Sequence, residues 1–158
     1  MEMAFDAMED CVPEEMEETI AIIKPDGVRQ GGKVIGDILA MAADADLHPR
    51  SIWMGELARE VWEKFYAEHA EREFFGELVD FMSSGPSIFM VLRGKKAIAT
   101  WRIVMGATDP LKASPGTIRR MFGRGGPANA VHGSDSAESF KREWDLIFRG
   151  VRMIATDG

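Results

Sequence analysis

One short stretch, residues 129–136, combines a histidine with the small and polar residues that a bound phosphoryl group requires. It reads NAVHGSDS and lies between a short apolar segment and the start of a helical pattern. Free backbone N–H groups and the positive end of a helix dipole favour a phosphate at such a place. A neutral imidazole is also a competent nucleophile near neutral pH. The stretch therefore predicts that His132 attacks phosphorus, whereas His48 and His69 are interpreted as structural histidines.

A nucleophilic histidine needs a partner that holds its second ring nitrogen. Glu143 lies eleven residues after His132, in the next helical pattern and beside its apolar stripe. We predict that Glu143 orients the imidazole. The alternative is a solvated helix glutamate paired with Lys141 or Arg142.

Cations from other parts of the chain could neutralise a transferring phosphate. Lys24 ends an apolar strand pattern, and the arginine candidates are Arg102, Arg119, Arg120 and Arg124. Guanidinium groups match phosphate oxygens well, although each of these arginines could be an ordinary surface charge. Lys24 alone could equally extend to solvent from the end of its strand. Two arginines and Lys24 around one histidine would make a phosphoryl-transfer site, where positioning and charge neutralisation do most of the work.

A second phosphate motif is only partly matched. Residues 27–34 read GVRQGGKV, which fits G-x-x-x-x-G-K. A phosphate-binding loop of that type continues with Ser or Thr, whose hydroxyl binds magnesium, and here Val34 follows the lysine. The segment is therefore interpreted as a glycine-rich turn that starts a helix.

The hydrophobic pattern predicts strands alternating with helices around these residues. Strands are predicted over 19–23, 49–55, 88–92 and 129–131, and helices over 34–42, 58–65, 74–82, 97–105 and 137–148. Asp135 is the predicted N-cap of the last helix. Residues 106–128 form a long Gly- and Pro-rich loop, and loops of that length are usually functional. With the middle helix pair set aside, the order is a split βαβ pattern.

Charge is concentrated at one end of the chain. Residues 1–18 carry eight acidic residues and no basic one, so a net charge of −7 conceals a remainder of 18 acidic and 19 basic residues. A nearly neutral body gives no electrostatic reason to expect nucleic-acid binding. We predict an acidic tail over residues 1–17, one domain over 18–150 and a C-terminal tail over 151–158. The acidic tail is either a solvating arm or a docking segment for a partner.

The remaining composition indicates a cytoplasmic protein. No apolar run approaches the ~20 residues of a membrane span, and no secretory signal is visible. The single cysteine, Cys11, cannot form an internal disulfide, which fits a reducing compartment.

Five strings together carry a specific resemblance. They are IKPDGV at 23–28, MSSGP at 82–86, GATDP at 106–110, PGTIR at 115–119 and NAVHGSDS at 129–136. In this order and at this spacing, the chain resembles the nucleoside diphosphate kinases over about residues 18–148. The string around His132 is the most specific of the five.

The resemblance implies a ferredoxin-like α+β fold: a four-stranded antiparallel sheet covered by helices, with a long loop before the last strand. It implies a ping-pong reaction, in which the γ-phosphate of a nucleoside triphosphate, typically ATP, passes to a nucleoside diphosphate through a phosphohistidine at His132. The implied catalytic residues are His132, Glu143, Lys24 and Tyr66. The implied nucleotide-binding residues are Lys24, Phe75 against the base, Arg102, Thr108, Arg119 and Asn129.

The resemblance also implies magnesium held mainly through nucleotide phosphates, without a cage of protein ligands. It implies a cytoplasmic homo-oligomer, either a tetramer or a hexamer, with no membrane or specific nucleic-acid partner. The chain departs from the family pattern at Arg120-Met121-Phe122, where an acidic residue is usual, and this affects subunit contacts more than chemistry.

Two other functions fit the same fold class. A non-catalytic member of the fold would lack the histidine or a phosphate ligand, and this chain keeps them. A nucleic-acid-binding module would carry aromatic and basic residues on its strand faces, whereas the strands predicted here are aliphatic.

Overall fold

The sheet is formed by four antiparallel strands. A computed structural model of the chain describes the backbone of residues 15–155 and the side chains of residues 15–149. The strands are β1 (Met16–Ile23), β2 (His48–Gly55), β3 (Ser87–Lys95) and β4 (Val131–Gly133). Their order across the sheet is β2-β3-β1-β4. This is the α+β, ferredoxin-like arrangement that was expected.

Seven α-helices accompany these strands among the described residues. They are α1 (Pro25–Arg29), α2 (Gly32–Asp44), α3 (Arg59–Phe65), α4 (Phe75–Met82), α5 (Ala97–Met105), α6 (Ile118–Phe122) and α7 (Ala137–Ala155), with a 3₁₀ turn at Ala67–His69. None of the helices in the described part of the chain is long and apolar enough to cross a membrane.

Both faces of the sheet are buried, which explains why the strands are almost continuously apolar. Successive side chains in a strand point to opposite faces. In β1, Ala21 and Ile23 therefore join the core beneath α2 and α5, whereas Ile20 and Ile22 join the core beneath α3, α4 and α7. Folding the chain this way removes two apolar layers from water, and the site lies at one end of the sheet between them.

The first three predicted strands are confirmed, with longer bounds than the pattern indicated. The predicted position of the fourth strand is wrong: β4 covers Val131–Gly133 instead of residues 129–131. His132 consequently lies in the middle of a strand, where it pairs with Ile22, and not between the strand and the helix.

Two short helices were missed. Pro25–Arg29 is a helical turn with proline in its first positions, and Ile118–Phe122 is a second turn inside the predicted loop. Each has five residues, which is too short for a 3.6-residue periodicity to be visible.

The start of α7 also differs from the prediction. The Oγ of Ser136, not Asp135, accepts the backbone N–H of Ser139 at 3.1 Å, so Ser136 is the capping residue. Asp135 instead accepts the Ser139 hydroxyl at 2.5 Å. The helix continues to Ala155, past the predicted domain end at residue 150.

At the other terminus, β1 begins at Met16, so residues 16 and 17 of the predicted tail belong to the sheet. The carboxylate of Glu17 accepts the backbone N–H of Ile98 at 2.8 Å. Residues 1–14 and 156–158, which include most of the predicted tails, lie outside the described residues.

Candidate active site

A cavity of about 430 Å³ opens where β1 ends beside β4. Residues from the ends of both strands, from α3, α5 and α7, and from the loop before β4 line it. Eight of the nine predicted site residues are among them: Lys24, Tyr66, Arg102, Thr108, Arg119, Asn129, His132 and Glu143. The fold thus brings together residues separated by up to 119 positions of sequence.

The backbone of His132 is fixed in the sheet. The residue pairs with Ile22 between β4 and β1, and the indole N–H of Trp101 donates to the His132 carbonyl oxygen at 3.1 Å. The imidazole packs edge-on against Phe65 with 5.0 Å between ring centroids. Its side chain keeps 19% of its surface exposed, and this surface faces the cavity.

The imidazole of His132 is hydrogen-bonded to Glu143, the residue that the helical pattern indicated. Nε2 of His132 lies 3.0 Å from Oε2 of Glu143, and the Ser134 hydroxyl donates to Oε1 of the same carboxylate at 2.7 Å. A carboxylate only accepts hydrogen bonds, so the ring proton belongs on Nε2 and the lone pair on Nδ1. Nδ1 has no hydrogen-bond partner among the described residues, which leaves it available as a nucleophile.

Ser134 completes this network and was not predicted as a site residue. Its oxygen also accepts the backbone N–H of Ile20 at 3.1 Å, so the carboxylate is fixed to the central sheet. The sequence marked Ser134 only as a small residue near the histidine. The carboxylate of Glu143 bonds to His132 and Ser134, whereas Arg142 donates to the carbonyl of Phe65 at 3.0 Å.

Lys24 reaches the same cavity from the end of β1. Its ammonium group donates to Oδ1 of Asn129 at 2.8 Å and to the Pro127 carbonyl at 3.3 Å, and the residue is only 6% exposed. Burial and the nearby Arg119 charge lower the Lys24 pKa to about 8, with Asp26 opposing the shift. Lys24 therefore does not simply extend to solvent.

Arg119 is buried and Arg102 is exposed. The guanidinium of Arg119 donates to the carbonyls of Gly106 at 3.0 Å and Val131 at 2.9 Å. Burial, and then the charge of Arg102, lower the Arg119 pKa to about 10, so Arg119 stays charged at neutral pH. The other two arginine candidates are not part of the cavity lining: Arg120 donates to the Leu111 carbonyl, and Arg124 is exposed.

Asn129, Thr108 and Tyr66 complete the predicted set. The Asn129 amide also donates to the Thr108 carbonyl at 3.1 Å, which connects the loop to the lysine. The Tyr66 hydroxyl is buried without a partner among the described residues. Burial, with the negative charge of Glu143, raises the Tyr66 pKa, so this hydroxyl is a neutral donor facing the site.

The structure does not bring Phe75, the predicted contact to the base, to the cavity. Phe75 packs against the core formed under α3, α4 and α7 and is not part of the cavity lining. Its neighbour Phe74 lines the cavity and is 46% exposed. Adjacent residues at the start of a helix point about 100° apart, so a shift of one position exchanges a core residue for a surface residue.

The interpretation of His69 as a structural histidine stays a prediction, but the structure adds a position that the sequence did not indicate. Its ring lines the cavity, 6.5 Å from the Tyr66 ring and 5.5 Å from the Phe74 ring, as centroid distances. The only sequence signal was its position five residues before Phe74, which is not distinctive.

The site does not contain a ready-made metal cage. No group of three or more potential His, Cys, Asp or Glu ligands occurs among the described residues. Glu143 is already engaged by His132 and Ser134, and the other carboxylates of the lining are Glu68, Glu77 and Asp135. These donors fit a divalent cation that arrives on a ligand's phosphates and not one held by protein alone.

A nucleophilic imidazole fixed by a buried carboxylate and surrounded by cations defines a phosphotransferase acting through histidine. A sequence model described as nucleoside diphosphate kinase matches residues 17–153. The chain belongs to the nucleoside diphosphate kinase family.

Curated relatives agree with this family. A nucleoside diphosphate kinase of Desulforamulus reducens is 45% identical over 142 residues, which is 90% of this chain and 94% of the relative. One from Deinococcus radiodurans is 48% identical over 140 residues, covering 89% of this chain and all of the relative.

Solved structures show the same fold. The Aquifex aeolicus nucleoside diphosphate kinase superposes with a TM-score of 0.80 at 38% identity, over 87% of this chain and 98% of that one. A Halobacterium salinarum nucleoside diphosphate kinase in complex with CDP also gives 0.80 at 38% identity, over 85% and 88% of the two chains.

Proposed function

We propose that this chain transfers the γ-phosphoryl group of a nucleoside triphosphate, typically ATP, to a nucleoside diphosphate through a phosphohistidine at His132. The observation that carries the proposal is the geometry of one imidazole. Its Nε2 is held by Glu143 and its Nδ1 is free toward a cavity lined by Lys24, Arg102 and Arg119.

The first half-reaction forms a phosphorus–nitrogen bond. The Nδ1 lone pair attacks the γ-phosphorus, the bond to the bridging β–γ oxygen breaks, and the nucleoside diphosphate leaves with that oxygen and its electron pair. Glu143 stabilises the positive charge that develops on the ring through Nε2–H. In the second half-reaction, a terminal oxygen of another nucleoside diphosphate takes the phosphoryl group and restores the neutral imidazole.

The cavity orients the nucleotide with its phosphates inward. Lys24, Arg102 and Arg119 neutralise phosphate oxygens, the Tyr66 hydroxyl supplies a donor near the histidine, and Thr108 adds a further contact. Asn129 is assigned to the ribose, and Phe74, in place of Phe75, to the base. Stacking on an exposed ring tolerates every base because each has a π-face.

We assign magnesium as the divalent cation, bound through the nucleotide phosphates. When bound, it supplies charge neutralisation on the phosphates. Asp135, the lining carboxylate next to Ser134 in the chain, is the candidate to hold it, and hydrogen bonds from Ser139 and Ser136 keep the pKa of Asp135 below its usual value.

The proposal is tested by labelling with γ-³²P-ATP. We expect an acid-labile, base-stable phosphoprotein that added GDP discharges to labelled GTP. His132→Gln should abolish both the label and GTP formation, whereas His48→Gln, at an exposed strand histidine, should leave both unchanged. Labelling of His132→Gln at the wild-type rate would refute the mechanism.

We also propose a cytoplasmic homo-oligomer, either tetramer or hexamer. Ile52, Met54, Ile103 and Leu111 are large apolar residues with at least half of their surface exposed in the single chain, and they are candidates for burial between subunits. Light scattering at micromolar concentration should give the mass of four or six chains; a monomer would contradict this assembly.

A further inference from the structure

The turn that leads into β4 is strained. Ala130 is fully buried with φ of +72°, a left-handed conformation that favours glycine. The N–H of Val131 donates to the Asn129 carbonyl at 2.9 Å, which closes a three-residue γ-turn around Ala130. A γ-turn with positive φ at its centre is rare, and such a conformation persists only where neighbours fix it.

The neighbours that fix it come from the segment after β1. The backbone N–H of Lys24 donates to the Ala130 carbonyl at 2.8 Å, and the Ala130 N–H donates to Oδ2 of Asp26 at 3.0 Å. Gly27 permits this close approach, because a Cβ there would lie 3.0 Å from the Ala130 carbonyl oxygen. Both peptide groups of Ala130 are therefore held by residues 24–26.

The carboxylate of Asp26 is buried beside this turn at a cost in free energy. It is 8% exposed, burial raises its pKa, and its Oδ1 has no hydrogen-bond partner among the described residues. Burying a carboxylate is unfavourable unless it makes a needed interaction. Asp26 is not part of the cavity lining; its carboxylate interacts with the Lys24 charge, and its one side-chain hydrogen bond among the described residues goes to the turn.

We propose that Asp26 is a positioning residue, which holds the strained turn at Ala130 and thereby sets the phosphate end of the site. The turn carries the Asn129 side chain against Lys24 and the Val131 carbonyl against Arg119. Without Asp26, the turn relaxes toward a conformation that suits alanine, and these two cations lose their fixed acceptors. The inference depends on the proposed function in one respect: it takes Lys24 and Arg119 as the cations that bind nucleotide phosphates.

The test compares Asp26→Ala, Asp26→Asn, Ala130→Gly and the double variant Asp26→Ala/Ala130→Gly. The affinity for ADP is measured by calorimetry, and KM, kcat and melting temperature are measured on the same samples. Asp26→Ala should weaken ADP binding about tenfold, since the turn is worth that order of free energy. Asp26→Asn keeps an oxygen acceptor and should stay within about twofold of wild type.

The rescue separates positioning from general stability. Glycine adopts the left-handed conformation without a Cβ penalty, so Ala130→Gly should restore most of the ADP affinity lost in Asp26→Ala. Asp37→Ala, which removes an exposed carboxylate on α2, is the matched control and should bind ADP as wild type does.

Unchanged ADP affinity in folded Asp26→Ala, or a loss that Ala130→Gly does not restore, would overturn the proposal. If Asp26→Ala does not fold, the double variant decides: wild-type affinity supports the proposal, and weak binding or failure to fold overturns it. A wild-type chain that binds ADP but is never labelled at His132 would refute phosphoryl transfer alone, because the ADP calorimetry measures binding without turnover.

Discussion

The two walls of the cavity are built in different ways. The inner wall, comprising Lys24, Arg119, Asn129, His132 and Glu143, is buried or nearly so, and each of its side chains makes a hydrogen bond within the protein. The outer wall, comprising Glu68, His69, Phe74, Glu77 and Leu78, comes from the 3₁₀ turn and α4 and is largely exposed. The end of the cavity proposed to bind phosphates is therefore formed before substrate arrives. The end proposed to bind the base offers mainly the exposed ring of Phe74.

This difference indicates where specificity and rate originate. In the proposed function, the pre-oriented charges of the inner wall act on the phosphoryl group, which all nucleoside triphosphates share. The outer wall would then hold the base, the part of the nucleotide that varies, through contacts that do not distinguish one base from another. Variants of the inner wall should therefore change the rate together with the affinity for phosphates, and those of the outer wall the affinity alone.

The largest effect is expected at Glu143. Glu143→Gln keeps the shape of the side chain but removes the charge that stabilises the imidazolium, so the rate of His132 phosphorylation should fall on the order of 100-fold. Rapid-quench measurement with labelled ATP gives this rate directly. Glu138→Gln, at an exposed glutamate on the same helix, is the control, and an equal loss in both variants would contradict the assigned role.

An intermediate effect is expected from the charge of Lys24. Its pKa of about 8 in the folded protein means that the ammonium loses its proton as pH rises through that value. The kcat/KM for ATP should then fall about tenfold per pH unit above pH 8, since this parameter reports the free enzyme. A flat profile from pH 7 to pH 10 would show that the Lys24 charge is not needed.

The free energy of unfolding should rise with pH over the same range in which kcat/KM falls. The ordinary pKa of a lysine is 10.5, so between pH 8 and 10.5 the unfolded chain binds more protons at this residue than the folded one does. The Lys24 contribution to the free energy of unfolding therefore increases with pH across that window. Comparing urea midpoints of wild type and Lys24→Met at several pH values isolates this contribution.

The smallest effect is expected at the outer wall. Phe74→Ala should raise KM for every nucleoside diphosphate by up to about tenfold, because one stacking contact is lost, and leave the melting temperature unchanged. Phe75→Ala should do the reverse, lowering stability by about 2 kcal/mol with little change in KM. If Phe75→Ala raised KM and Phe74→Ala did not, the assignment of the two rings would be wrong.

The sequence predicted most of the inner wall and less of the outer wall, for physical reasons. Motif residues such as His132 and Lys24 are surrounded by turn and strand signals that limit where they can lie. Phe74 and Phe75 are chemically identical neighbours, and only the phase of α4 decides which one is exposed. That phase depends on packing against the sheet, which no local pattern contains.

The position of β4 illustrates a second limit. Asn129 is polar and Ala130 and Val131 are apolar, a pattern that is compatible with a strand. The sequence therefore predicts the strand at residues 129–131. Because Ala130 forms a γ-turn, the strand begins two residues later than predicted, at Val131. An alanine carries no signal for a left-handed turn, because the conformation is imposed by Lys24 and Asp26 from over a hundred residues away.

The three-residue length of β4 has a consequence for how this chain tolerates change. Val131 packs in the core under α5 and Gly133 lies against Trp101, while His132 between them points to the opposite face, beside Phe65. Shifting the strand by one residue would exchange these two faces. The site therefore depends on the register of β4 against β1: a one-residue slip would turn the imidazole away from Phe65 and into the core beneath α5, even if composition and charge were preserved.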